Sequence, residues 1–192
     1  WLSRNTLLLA HFTLEDPLKA DAPACIENLR GQALHCHLLS GDSLAHVQQA
    51  AGTLGLERYQ ARVDPAGKMQ YLQALQQAGG KVLMIGDGIN DAPVLAQADV
   101  SMAMGSGAYV AQSSADILLM NSRLSQIGHV LSVAAHMRHL MRQNLRWAIA
   151  YNVLAVGIAL SGLIHPGYAA LGMAGSSLLV TLNALRIYRI TP

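Results

Sequence analysis

Acidic side chains run out well before the chain does. All eleven Asp and Glu lie at or before Asp116, and residues 117–192 contain none. A long carboxylate-free stretch is unusual for helices that face water, which argues against an ordinary soluble helix pair in this region. Cysteine is scarce as well. Cys25 and Cys36 are the only two, so no disulfide framework is expected and a reducing, cytoplasmic setting is the simpler reading. No internal repeat and no low-complexity linker is present. No secretory leader is visible, and Trp1-Leu2-Ser3-Arg4, which lacks a Met, reads as an interior start.

The missing negative charge divides the chain in two. Residues 1–116 carry eleven acids against seven Lys or Arg, a formal net charge of −4. Residues 117–192 carry six Arg and no acid, a net of +6. The overall +2 therefore belongs to the tail and gives no reason to expect a nucleic-acid partner.

Two apolar runs lie in that tail, at 145–164 and 168–187, with Arg146 and Arg186 at their edges. Each has the roughly 20 residues that a helix needs to cross a hydrocarbon core. His165-Pro166-Gly167 between them reads as a tight turn, so the two spans form a hairpin that returns to its starting side. Arg138, Arg142 and Arg146 precede the hairpin, and Arg186 and Arg189 follow it. The positive-inside rule then places both ends in the cytoplasm, with membrane lipid as the surrounding partner. Trp147, Tyr151, Tyr168 and Tyr188 suit the interfaces. The competing reading is a buried helical hairpin of a soluble protein.

Strand and helix signals alternate in the first part of the chain. Strands are expected at 6–14, 33–39, 59–63, 82–85, 100–103 and 117–119. Helices are expected at 22–30, 43–54, 68–78, 91–98 and 108–114, and a connecting helix at 123–143 leads into the tail. Such alternation implies α/β architecture, a parallel sheet with helices on both faces. The chemistry of such sheets gathers at the carboxyl ends of the strands. The sequence accordingly divides into 1–121, a connecting helix at 122–143, and two membrane helices within 144–192.

Two strand ends carry residues suited to phosphate chemistry. Gly86-Asp87-Gly88-Ile89-Asn90-Asp91-Ala92-Pro93 follows the run at 82–85. It sets two carboxylates and an amide in one tight turn. Mg²⁺ takes one or two carboxylates and keeps water and phosphate for the rest. Pro93 falls where the first turn of a helix tolerates it. Ser40-Gly41-Asp42 ends the strand at 33–39, where a hydroxyl and backbone N–H groups can hold a phosphate at a helix N-terminus; an ordinary helix cap is the plainer alternative. Lys68 opens a helix after Asp64-Pro65-Ala66-Gly67, a place where a solvated surface Lys is common.

The turn at 86–93 resembles the hinge motif of P-type ATPases, G-D-G-x-N-D-x-P, at every fixed position. Ser40-Gly41-Asp42 is similar to the T-G-D element of the same enzymes, with the hydroxyl kept. The resemblance implies a partial haloacid-dehalogenase-like Rossmannoid phosphorylation domain followed by a transmembrane hairpin. In that fold Lys68 would neutralise a phosphorylated carboxylate. Asp87 would bind Mg²⁺ with Asp91 and Asn90 in support, and Ser40, Gly41, Asp42 and Lys68 would hold the phosphoryl group. ATP would bind mainly to parts outside this chain. The phosphorylated Asp of a D-K-T-G-T run has no match here, nor do the nucleotide-binding and actuator domains. Residues 1–14 look like the return strand from the nucleotide domain. The resemblance thus implies a C-terminal part, inactive alone, whose partners are the missing N-terminal parts.

The tail adds a second resemblance. Tyr151-Asn152 and Met173-Ala174-Gly175-Ser176-Ser177 are similar to the paired signatures of copper-transporting type IB ATPases. A thioether suits Cu⁺, whereas zinc or cobalt exporters want a carboxylate or imidazole in the membrane. The resemblance implies an ion path through Tyr151, Asn152, Met173, Ser176 and Ser177. It also implies a multi-pass inner-membrane location and a copper chaperone as partner. Residues 172–186 look closest to the branch that serves haem-copper oxidase assembly. One departure stands out: Gly157 occupies the place where the copper family has a Pro. The alternatives are helix packing by small residues, a pump for zinc or cadmium, a membrane-tethered phosphatase of the same superfamily, and a truncated regulatory subunit. His35 and His37 alternate with Cys36 on a strand and so cannot converge on one ion. Of His129, His136 and His139, only the last two share a helix face.

Overall fold

The computed structural model of the chain describes residues 2–4, 7–10, 17–86, 89–105, 113–121, 123–162 and 165–189. They form two compact units, Trp1–Gln126 and Ile127–Pro192.

The first unit is α/β. A short antiparallel pair, β1 (Leu2–Arg4) and β2 (Leu7–Ala10), begins it, with a register shift between Leu2 and Ser3. This differs from the single strand expected at 6–14. Two parallel ladders follow. In one, β3 (His37–Leu39) pairs with β4 (Arg58–Gln60). In the other, the order is β5 (Leu83–Gly86), β6 (Val100–Met104), β7 (Ile117–Leu119). Among the described residues β3 and β5 each have a ladder partner on one side only, so one continuous sheet is not closed. Central β6 is the most buried strand: Met102 and Ala103 are fully enclosed, as strands between two neighbours under helices should be.

Helices α1 (Ala22–Gly31), α2 (Leu44–Thr53), α3 (Pro65–Gln77) and α4 (Ala92–Gln97) connect these strands. Their inner faces supply Cys25, Leu29, Val47, Ala51, Leu72, Val94 and Leu95 to the core. Two starts are set by local chemistry. Ser43 caps α2 by accepting the N–H of His46 at 3.4 Å. Asp64 caps α3 by accepting the N–H of Gly67 at 2.7 Å, with Pro65 in the first turn. That cap explains why α3 begins three residues before the expected Lys68. The strand expected from residue 33 begins only at His37, because Ala33 (φ +59°) turns the chain out of α1. The helix expected at 108–114 falls mostly outside the described residues.

The ladder β5–β7 is pinned across its amino end by two carboxylates. Asp99 accepts from Lys81 Nζ (2.7 Å), Gln76 Nε2 (3.0 Å) and the N–H of Val82 (3.1 Å). Those donors, Lys81 foremost, hold its carboxyl well below the usual range. Asp116 accepts from both the N–H and the hydroxyl of buried Ser101 at 2.9 Å, tying β6 to the start of β7.

The second unit is a helical hairpin. Helix α5 (Ser125–Leu160) runs 36 residues without a break, so the connecting helix expected at 123–143 and the run from 145 are one element. The change from polar to apolar composition near 143 contains no Gly or Pro to interrupt the backbone. Gly157 does not end it. His165 caps α6 (Pro166–Ala184), which closes in a 3₁₀ turn, Leu185–Arg189. The helices are antiparallel along a seam marked by three contacts one or two turns apart. Asn183 Nδ2 donates to Asn144 Oδ1 (2.8 Å), Trp147 Nε1 donates to Ser176 Oγ (3.2 Å), and the Tyr151 hydroxyl lies against Gly172. Among the described residues one helix, Gly167–Tyr188, is long and apolar enough to cross a membrane, with a mean hydropathy of 1.4 and no burial within the protein.

Candidate functional site

The carboxyl ends of β3 and β5 open onto a cleft of about 370 Å³, lined by Gly41, Arg62, Val63, Asp64, Pro65, Lys68 and Asn90. Two loops build its rim. The turn after β3 is held by the segment after β4: the N–H of Arg62 donates to the carbonyl of Asp42, and that of Val63 to the carbonyl of Ser40, each at 3.0 Å. Within the turn, Ser40 Oγ accepts the N–H of Asp42 at 3.2 Å, which leaves the hydroxyl proton free to donate outward. Asp42 turns its carboxylate onto its own helix start, where Oδ1 accepts the N–H of Ser43 at 2.6 Å and Oδ2 meets His46 Nδ1 at 3.1 Å. The Ser43 amide, then His46, hold the Asp42 carboxyl below its ordinary value. Of this turn, Gly41 lines the cleft, whereas Ser40 and Asp42 stand beside it.

Lys68, one turn into α3, also lines the cleft. Its Nζ donates to Asp91 Oδ1 at 2.7 Å; the two side chains are only 15% and 12% exposed. Such a short, shielded pair is charge-assisted and geometrically fixed. Asp91 stands at the end of a 3₁₀ turn, Ile89–Asp91, directly before α4. Gly86 is what lets it sit there: a Cβ at Gly86 would lie 3.0 Å from Asp91 Cβ and 3.1 Å from Oδ2. The structure thus brings Gly41, Lys68 and Asn90 together around one cavity, with Asp91 joined to it through Lys68. Asp87 lies outside the described residues.

The donor set fits a hard divalent cation. Asp91 has one oxygen engaged by Lys68 and a second with no hydrogen-bond partner among the described residues, and Asn90 supplies an amide to the cleft. Oxygen ligands of this kind, few in number and beside a phosphate-sized space, are what Mg²⁺ takes. Arg62 also lines the cleft, although nothing in its spacing to the other residues had singled it out. The His35-Cys36-His37 segment stands apart. His37 Nδ1 bonds the Tyr71 hydroxyl at 2.6 Å and Nε2 meets Arg58 at 3.3 Å, so its ring is engaged structurally.

In the hairpin the residues of the expected ion path fall on two faces. Tyr151 and Ser176 sit on the seam, Ser176 as acceptor of Trp147. Asn152 is exposed and donates to the carbonyl of Ala148 one turn back. Met173 is 69% exposed and Ser177 is exposed as well, so both point away from α5.

Comparison with known proteins agrees with this geometry. Residues 4–99 match the family model described as haloacid dehalogenase-like hydrolase. The nitrogen fixation protein FixI of Bradyrhizobium diazoefficiens is 44% identical over 169 residues, which are 88% of this chain and 23% of that protein. The probable copper-importing P-type ATPase A of Enterococcus hirae is 39% identical over the full chain, covering 26% of its own length. A crystal structure of a zinc-transporting PIB-type ATPase in its E2.Pi state superposes with a TM-score of 0.86 at 34% identity, over 90% of this chain and 28% of that one. The chain therefore spans about a quarter of the length of the curated relatives it matches. A double-glycine turn carrying a Lys-paired Asp, a family match across the α/β unit and a likeness that continues through the hairpin converge: the chain belongs to the haloacid dehalogenase-like hydrolases, in the branch formed by the heavy-metal P-type ATPases.

Proposed function

We propose that the protein to which this chain contributes is an ATP-driven pump for monovalent copper, and that the chain supplies its phosphoryl-handling cleft and part of its membrane path. The observation that carries this reading is the shielded Lys68–Asp91 pair on a cleft bounded by Gly41 and Asn90. Phosphoryl transfer asks the protein mainly for positioning and for neutralisation of charge. Lys68 offers its ammonium to phosphoryl oxygens while Asp91 fixes where that ammonium stands. The outward hydroxyl of Ser40 and the amide of Asn90 orient the same group. Mg²⁺ held by Asp87 and Asp91, when bound, would offset negative charge on the phosphate. The carboxylate that receives the phosphoryl group would come from a segment outside this chain, pairing with β3 or β5, each of which has a ladder partner on one side only among the described residues.

Copper is favoured over zinc by the chemistry of the hairpin. It holds Met173 and no Asp or Glu side chain, and a thioether is a soft ligand. The relatives' names point both ways, since one is a copper importer and the superposed structure a zinc transporter. Outward-facing Met173, Asn152 and Ser177 would complete a site with other membrane helices. Both hairpin ends would lie in the cytoplasm of a multi-pass inner-membrane protein, with a copper chaperone delivering the cargo.

The test is phosphoenzyme formation by the full-length protein from labelled ATP. Cu⁺ should stimulate it, and Asp87→Ala should abolish it. Stimulation by Zn²⁺ and not Cu⁺ would transfer the reading to a zinc pump. Normal phosphorylation of the Asp87 variant would remove the site assignment altogether.

A further inference from the structure

Two cations line the cleft, and they are not equivalent. Lys68 is held by Asp91 at 2.7 Å. Arg62 forms no ion pair among the described residues and its side chain is exposed on the rim. Its backbone is also unusual. Arg62 has φ +55°, in the left-handed region that non-glycine residues seldom occupy outside sites where surrounding structure enforces it. The enforcing contacts are visible: the N–H of Arg62 is bonded to the carbonyl of Asp42, and the next N–H to the carbonyl of Ser40. The strained residue is thus strapped to the turn whose Gly41 lines the cleft. Nearby carboxylates do not claim the guanidinium. Asp64 caps α3 through Gly67, and Asp42 is engaged by Ser43 and His46.

We propose that Arg62 is a second cationic ligand for the phosphoryl group in this cleft, beside Lys68. The proposal rests on the reading of the cleft given above and deepens it. A guanidinium presents paired donors that match the oxygens of phosphate. Lys68 is already partly neutralised by Asp91, so Arg62 supplies the charge that an incoming dianion still lacks. It forms no bond to the group and transfers no proton; its part is to hold the phosphoryl oxygens before and after transfer.

The experiment uses the full-length protein, with orthovanadate as the probe of the phosphate site and inhibition of metal-stimulated ATP hydrolysis as the readout. Arg62→Gln and Arg62→Gly should each raise the half-inhibitory vanadate concentration about tenfold, the scale of one charge-assisted contact. Arg62→Lys should raise it by about threefold or less, since the charge is kept and the fork is lost. The glycine variant separates side chain from backbone, because glycine adopts φ +55° without strain. Vanadate sensitivity within twofold of wild type in Arg62→Gln or in Arg62→Gly overturns the proposal. The parent reading is tested separately by Asp87→Ala. If that variant still forms phosphoenzyme, the cleft reading fails and Arg62 fails with it. If it does not, the vanadate series alone decides the role of Arg62.

Discussion

Replacing Lys68 by Met should destabilise the unit formed by residues 1–126 more than any exposed charge change in it. Lys68 and Asp91 meet at 2.7 Å with 15% and 12% of their side chains exposed. Solvent screening of this pair is therefore slight. Removing the ammonium leaves a largely buried carboxylate without its partner, a loss of about 3 kcal/mol, at the lower end for buried pairs because a little solvent remains. For a unit of this size that corresponds to a fall of roughly 10 °C in its melting temperature. Met keeps the length and apolar stem of the side chain, so packing contributes little to the change. The double variant Lys68→Met/Asp91→Leu removes both charges and should regain about 2 kcal/mol of the loss, since a paired ion set replaced by apolar groups is often neutral. Calorimetry of the full-length protein and of each variant closes the double-mutant cycle. Additive effects, with a coupling below about 0.5 kcal/mol, would show that the two groups do not meet in solution, and the geometry of the cleft would have to be redrawn.

The other predictions concern both units. Asp99 is held below the usual carboxylate range by Lys81, so its contribution is present above about pH 4 and is lost as pH falls through the lowered folded value. Asp99→Asn should thus lower the urea midpoint at pH 7, and its deficit relative to wild type should shrink below about pH 4; a constant deficit from pH 7 to 3 would contradict the assignment. Gly172→Ala would set a methyl 2.9 Å from the Tyr151 hydroxyl, displacing the ring at a cost of about 1 kcal/mol. Adding Tyr151→Phe should recover most of that in thermal unfolding of the full-length protein, and no recovery would mean that the seam is misplaced. Met173→Ala should lower copper-stimulated ATP hydrolysis by about tenfold or more while leaving the melting temperature within about 2 °C, because the side chain is 69% exposed in this hairpin; unchanged copper stimulation would remove Met173 from the path.

How much of this was legible beforehand varies with the kind of signal. Helices α1, α2 and α4 were readable because their starts carry local chemistry, with Pro23, Ser43 and Pro93 acting within one turn of themselves, whereas the Asp64-Pro65 cap was passed over and α3 was expected three residues late. The gathering of Lys68 with the 86–93 turn was readable through the order of motifs along an α/β chain. Other features depend on distant partners and left no local trace. The pair β1–β2 needs both strands at once. The split between β3–β4 and β5–β7 is a matter of which edges find neighbours. The continuity of α5 was hidden by hydropathy, which changes near 143 although the backbone has no reason to stop. Arg62 was invisible for the same reason. Its φ and its place on the rim come from bonds to Ser40 and Asp42, which lie some twenty residues away in the sequence.

The two faces of the hairpin bear on how a pump of the proposed kind would diversify. Tyr151, Gly172, Ser176 and the Asn144–Asn183 bond hold α5 to α6, whereas Asn152, Met173 and Ser177 take no side-chain part in that grip. If the outward trio binds the cargo as proposed, cargo preference and hairpin integrity are written in separate letters. Exchanging that trio for harder ligands asks nothing of the inter-helix seam, so on the proposed reading selectivity for one metal over another would drift, or be engineered, on an architecture that stays put.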